Sequence, residues 1–162
     1  MPQGPQSPAQ ERVFLVVVDD SPELPIALRY ASLRALHTKG RVALLYVVEP
    51  TDRQHWMALE SLMRDEKRQD AEQFMERYAS EVSTLTGSLP AVYIREGIVR
   101  DELLALIEED PSISILVLAA SAGEAGPGPL ISALTGKYAG KLRVPVTIVP
   151  GNLSDAEIAA LA

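Results

Sequence analysis

Residues 13–20 read VFLVVVDD. The run from Val13 to Val18 is apolar throughout and rich in β-branched side chains, with no alternation of polar and apolar positions. Continuous apolarity over so short a span predicts a strand covered on both faces, as in a parallel sheet. Asp19 and Asp20 end the run. Ser21 then reads as a helix N-cap, with Pro22 at the first helical position. An apolar stripe of Ile26, Leu28, Tyr30, Leu33 and Leu36 follows, until Lys39-Gly40 ends the helix.

The same unit repeats along the chain. RVALLYVVEP, ending at Pro50, is a second buried strand. An amphipathic stretch from about Gln54 to Leu85 places Ala71, Phe74, Met75, Tyr78, Val82 and Leu85 at steps of three and four. LPAVYIREG is a third strand, closed by Gly97, and VRDELLALIEEDP a helix ended by Pro111. ISILVLAA, residues 113–120, is the fourth strand. A short, glycine-weakened helix LISALTGKYAGKL precedes the last strand, VPVTIVPG. LSDAEIAALA is an appended helix with a capping box, Ser154 with Glu157. Alternating strands and helices predict an α/β domain with a parallel sheet and right-handed crossovers. Ligands in such domains sit beyond the carboxyl ends of the strands, which groups Asp19, Val47 and the 119–130 loop.

The 162 residues suffice for one domain, expected over 12–151, with a disordered N-terminal tail over 1–11 and a C-terminal helical extension over 152–162. Cysteine is absent, which excludes disulfides, thiolate metal sites and a cysteine nucleophile. A net charge of -7 without any Lys/Arg block disfavours nucleic acid and anionic membranes. The first residues, MPQGPQSPAQER, have neither the basic start nor the apolar core of a signal peptide, so a cytoplasmic location is expected.

Four segments together resemble the universal stress protein family, from Arg12 to Pro150: FLVVVDDSPELPIALRYA, ALLYVVEP, YIREG and LRVPVTIVPG. Tyr46 stands where that family commonly has a histidine. The resemblance implies a flavodoxin-like three-layer sandwich with a five-strand parallel sheet in order 3-2-1-4-5. It also implies a homodimer formed by antiparallel pairing of the last strands, here Val146, Thr147, Ile148 and Val149. An edge strand invites such pairing. In nucleotide-binding members an Asp ending the first strand and a Val in the second contact adenosine, which correspond to Asp19 and Val47. Phosphates are held there by G-x2-G-x9-G-(S/T) after the fourth strand.

That phosphate pattern fails here. Laid without gaps, its places fall on Ala119, Ala122, Ser132 and Ala133; shifted by one, on Ala120, Gly123, Ala133 and Leu134. Glycine is needed where backbone amides approach a phosphate without a Cβ. Pro127 and Pro129 carry no N–H. Glu124 brings like charge, and no Lys or Arg occurs between Asp101 and Gly136. Near 4 Å one such charge costs about 4 kcal/mol at an effective dielectric of ~20.

The Asp19-Asp20 pair also resembles the acidic pair of receiver domains. Their acceptor Asp after the third strand and their late Lys are missing, since the strands here end YIREG and TIVPG. Asp19 and Glu23 equally complement a helix dipole. His37 and His55 are too few for a metal site, His37 fits a helix C-terminus, and Trp56 reads as packing. Ser121 lacks a His partner and a G-x-S-x-G context.

No constellation supports catalysis. The expected protein is a non-catalytic homodimer in the stress response, acting through protein partners, with no resident cofactor and no tight hold on ATP. Two other readings stay open. One is an adenine-nucleotide sensor taking ATP or AMP with magnesium at Asp19, Val47, Ser121, Gly123 and Ser132. The other is an AMP- or nucleoside-level binder, which fits the retained Asp19 and Val47.

Overall fold

The computed structural model describes residues 11–50 and 57–162, the side chains of 57–64 excepted. His55, Trp56 and all of the expected tail but Glu11 lie outside the described residues. Five strands, β1 (Val13–Val17), β2 (Arg41–Val48), β3 (Ala91–Glu96), β4 (Ile113–Ala120) and β5 (Val146–Pro150), form one sheet in the order β3-β2-β1-β4-β5. All four pairings are parallel, as expected from the run of buried strands.

Why β1 carries no polar face is now visible. Val13, Leu15 and Val17 point into one core half, against Leu103, Leu106 and Ile107 of α3 (Val99–Glu109) and Ile131 and Leu134 of α4 (Pro129–Thr135). Phe14 and Val16, with Val18 just beyond the strand, point into the other. There they meet Leu24, Ala27, Leu28 and Ala31 of α1 (Leu24–Thr38) and Met75 and Val82 of α2 (Met57–Thr86). Period-two alternation thus sends every second side chain to a different helical layer, and both layers are apolar. Leu15, Val16, Leu44, Leu45, Leu116 and Val117 are fully buried, so the three middle strands are the centre of the sandwich.

Register between β1 and β4 slips once. Val13 pairs with Ile113 but Phe14 with Ile115, and the Ser114 hydroxyl left between them accepts from the Val13 amide at 3.1 Å.

Helix ends depart from the sequence reading in three places. Helix α1 starts at Leu24, not after Ser21; Glu23 is its N-cap and Pro25 takes the early helical position. Ser21 instead donates its amide to Asp19 Oδ1 at 2.9 Å and accepts from the Leu24 amide, so Ser21–Leu24 is a turn. At the other end Lys39, not Gly40, adopts the left-handed conformation, φ 57°. Gly40 is required for another reason, because a Cβ there would collide with the Arg12 carbonyl oxygen. The stretch expected as one helix over 130–142 is split into α4 and a 3-10 turn at Ala139–Lys141, broken at Gly136. Glycine's backbone freedom wins over helix continuation there.

The final helix α5 (Asp155–Leu161) has the capping box read from sequence. Glu157 N–H donates to Ser154 Oγ at 3.2 Å, and the Ser154 amide donates to Glu157 Oε1 at 3.2 Å. It packs on α1 through buried Ile158, with Arg29 Nε 3.7 Å from Asp155 Oδ1. No helix among the described residues is long and apolar enough to cross a membrane.

Candidate functional site

The carboxyl ends of β1, β2 and β4 open into two clefts that share Val17, Asp19, Pro129 and Leu130. The first, about 610 Å³, lies between the start of α1 and the β4–α4 loop; Asp19, Ser21, Glu23, Ser121 and Ser132 line it. The second, about 710 Å³, lies over β2, between α2, α3 and α4. Its walls are Tyr46, Val47, Phe74, Ile98, Val99 and Ala133, with Asp20, Glu49 and Arg100 at the edges. Volumes of this order suit a small organic ligand, with apolar walls for shape and a few polar groups for orientation.

Asp19 lies where the clefts join. Its Oδ1 is fixed by the Ser21 amide, and the residue is solvent-exposed. Val47 is buried, 7% exposed, and faces the second cleft. Phe74 stands between Tyr46 and Tyr78, with ring centroids 5.5 and 5.0 Å apart. That aromatic row gives the second cleft a stiff wall.

The β4–α4 loop folds on itself. The Ser121 amide donates to the Pro127 carbonyl at 3.2 Å, and the Gly123 amide lies 3.4 Å from Ser121 Oγ. Gly126 and Gly128 hold φ of 93° and 111°, values that disfavour any residue with a Cβ. Pro127 and Pro129 add no donors. Two amides on which a phosphate cradle would draw are therefore engaged inside the loop, and Gly123 lines neither cleft. Ser132 reaches the first cleft from α4, its own amide donating to the Gly128 carbonyl at 3.0 Å.

One expectation is corrected. Glu124 is exposed and lines neither cleft, so its charge does not face a ligand held in them. Arg100 is the residue that sequence reasoning missed. It precedes the cation-free stretch by one position and enters the second cleft at the start of α3. The signal was its place just past the third strand's closing glycine, on the carboxyl edge of the sheet.

Ionisable groups with displaced pKa values lie away from the clefts. Hydrogen bonds from Ser112, then Tyr93, hold the Asp110 carboxyl below its ordinary value. Donation to Asp110 pushes the Tyr93 hydroxyl up. Among the described residues lining the clefts there is no His and no Lys, so Ser21, Ser121 and Ser132 have neither an imidazole nor an amine beside them. No group of three or more His, Cys, Asp or Glu that could hold a metal occurs among the described residues.

Known proteins share this architecture. Universal stress protein UspA from Lactobacillus plantarum superposes with a TM-score of 0.69 at 21% identity, over 88% of this chain and 99% of that one. A universal stress protein in complex with cAMP gives 0.61 at 14% identity, over 89% and 100%. One from Archaeoglobus fulgidus in complex with dAMP gives 0.55 at 15%, over 86% and 98%. At such identities the likeness speaks for the fold alone. No curated protein matches the chain. The family model of the universal stress protein family matches residues 11–150, nearly the whole of the described sheet and its helices, and the chain belongs to that family.

Proposed function

We propose that this universal stress protein catalyses no reaction and acts as a homodimer through protein partners, its clefts taking a nucleoside or nucleoside monophosphate and not tightly held ATP. The observation that carries the reading is the closed loop. The amides of Ser121 and Gly123 are spent within it, while Asp19 and Val47 face roomy clefts beside it. Asp19, exposed and fixed by the Ser21 amide, suits a pair of ribose hydroxyls. Val47, Ile98 and Leu130 suit the faces of a base. Ser121 and Ser132 leave room for one phosphate with two hydroxyl partners. The solved relatives with cAMP and dAMP are monophosphate complexes, which agrees with a cleft of this reach.

Dimerisation through β5 is supported by its position. β5 pairs with β4 on one side only, and Ile148 on it is 41% exposed. The test of the ligand reading is calorimetric titration with adenosine, AMP and ATP with magnesium. Adenosine and AMP are expected to bind within about threefold of one another, with ATP no tighter. ATP binding tenfold or more tighter than adenosine would overturn the reading in favour of a triphosphate sensor. Product formed from ATP over hours would overturn its non-catalytic part.

A further inference from the structure

Arg100 and the segment 137–141 flank the stretch that contains no Lys or Arg, and the fold brings them together. The Arg100 guanidinium carbon lies 4.3 Å from the Tyr138 ring centroid, Lys141 Nζ 5.1 Å and Lys137 Nζ 5.7 Å. Three cations thus surround one ring in a chain of net charge -7. Among the described residues their ion pairs reduce to Arg100 Nε with Asp101 Oδ1 at 3.1 Å. Like charges at this spacing repel, and the face of a half-buried ring offsets that only in part.

We infer that Arg100, Lys137 and Lys141 around Tyr138 form a docking platform for an acidic peptide segment of a partner protein. The ring is anchored for the task. Tyr138 packs against the core half of α3 and α4, and its amide donates to the Ala133 carbonyl at 3.0 Å. Arg100 stacked on it presents a planar fork suited to a carboxylate. Lys137 and Lys141 are exposed and belong to neither cleft; only Arg100 lines one. An open array of separate cations complements a row of carboxylates, whereas a single small anion is better held by an enclosed pocket. The acidity of the rest of the surface steers such a partner to this spot. The platform gives a partner chemistry to the proposal above and rests on its partner-dependent action.

The test is fluorescence anisotropy of fluorescein-labelled hexaglutamate with the full chain at low salt. Lys137→Ala with Lys141→Ala is expected to weaken binding about three- to thirtyfold, from two exposed pairs at a few tenths to one kcal/mol each. Raising the salt to physiological strength is expected to weaken the parent and to narrow the gap to the variant. Lys67→Ala with Arg68→Ala on α2 removes equal charge elsewhere and is expected to leave the affinity within twofold. Equal loss from both pairs would make the effect one of net charge and overturn the platform. So would no binding at low salt, or displacement of the peptide by equimolar pyrophosphate, the mark of a small-anion site. Adenosine titration does not involve Lys137 or Lys141, so failure of the nucleoside reading would register there and not here.

Discussion

The Tyr93 hydroxyl donates to Asp110 Oδ2 at 2.6 Å, joining the edge strand β3 to the end of α3. Asp110 Oδ1 accepts from the Ser112 amide at 3.0 Å and from the Ser112 hydroxyl at 2.5 Å. Arg143, just before β5, donates to the Ile107 carbonyl at 2.7 Å and the Asp110 carbonyl at 3.1 Å. One carboxylate therefore ties β3, α3 and the approach to β4, with β5 drawn in through the main chain beside it.

The pH dependence follows from the direction of each shift. Asp110 has its folded pKa below the unfolded value, so its contribution is present above the ordinary carboxyl range and is lost as pH falls through the lowered value. Tyr93 has its folded pKa above 10.0, so its contribution is present below that and is lost as pH rises through the raised value. Tyr93→Phe is expected to cost about 1 kcal/mol or less at neutral pH, the value of one hydrogen bond discounted for partial exposure. Asp110→Asn is expected to cost more, and to flatten the acid limb of stability. Urea unfolding at neutral pH and near pH 3 reads both; an unchanged acid limb in Asp110→Asn would count against this network.

Gly151 stands where β5 hands over to the last helix, and its need for glycine is steric. A Cβ there would collide with the Ala120 carbonyl oxygen and lie 2.8 Å from Glu23 Cγ. Backbone cannot yield as a flexible side chain can, so Gly151→Ala is expected to cost about 2–3 kcal/mol. Gly140 has open space around it and serves as the control; Gly140→Ala is expected to stay within about 0.5 kcal/mol. Similar melting temperatures for the two variants would refute the close approach.

The sheet was legible because its signal is redundant. Val13–Val18 and the matching runs at 42–48 and 115–120 are apolar at consecutive positions, as suits strands between two helical layers. The start of α1 was not, because Ser21 has the chemistry of a cap and of a turn alike, and Pro25 decided between them by position. The clefts were legible as a place, since topology puts strand ends together. Their lining was not. Phe74 and Arg100 come from helices whose azimuth against the sheet depends on packing, and the loop that carries the exposed Glu124 takes positive φ at Gly126 and Gly128, which composition leaves open.

Asp19 offers the sharpest probe of the clefts. Asn in its place keeps an oxygen for the Ser21 amide and so keeps the turn, while the charge is removed. If the carboxylate accepts from a ribose, Asp19→Asn is expected to weaken adenosine binding about tenfold, in line with a charged hydrogen bond of roughly 1.5 kcal/mol. Deoxyadenosine is expected to lose less between the two proteins, because it brings fewer hydroxyls. Calorimetry of both ligands on both proteins checks this. Equal affinities throughout would place the ligand elsewhere or nowhere.

The β5 edge can be tested without touching the clefts. Val149 is buried in the core beneath the strand, whereas Ile148 points outward and is 41% exposed. In a two-fold pairing of β5 strands, Ile148 of each copy meets the same neighbourhood of the other, so one substitution acts twice. Ile148→Glu sets like charges against one another across the axis and removes apolar area, both unfavourable to the pair. The monomer fold is expected to survive, since the side chain makes no part of either core half. Sedimentation at micromolar concentration is expected to show a dimer for the parent chain and a monomer for the variant, with unchanged circular dichroism. A monomeric parent would remove the homodimer from the proposal, and a dimeric variant would move the contact to another face.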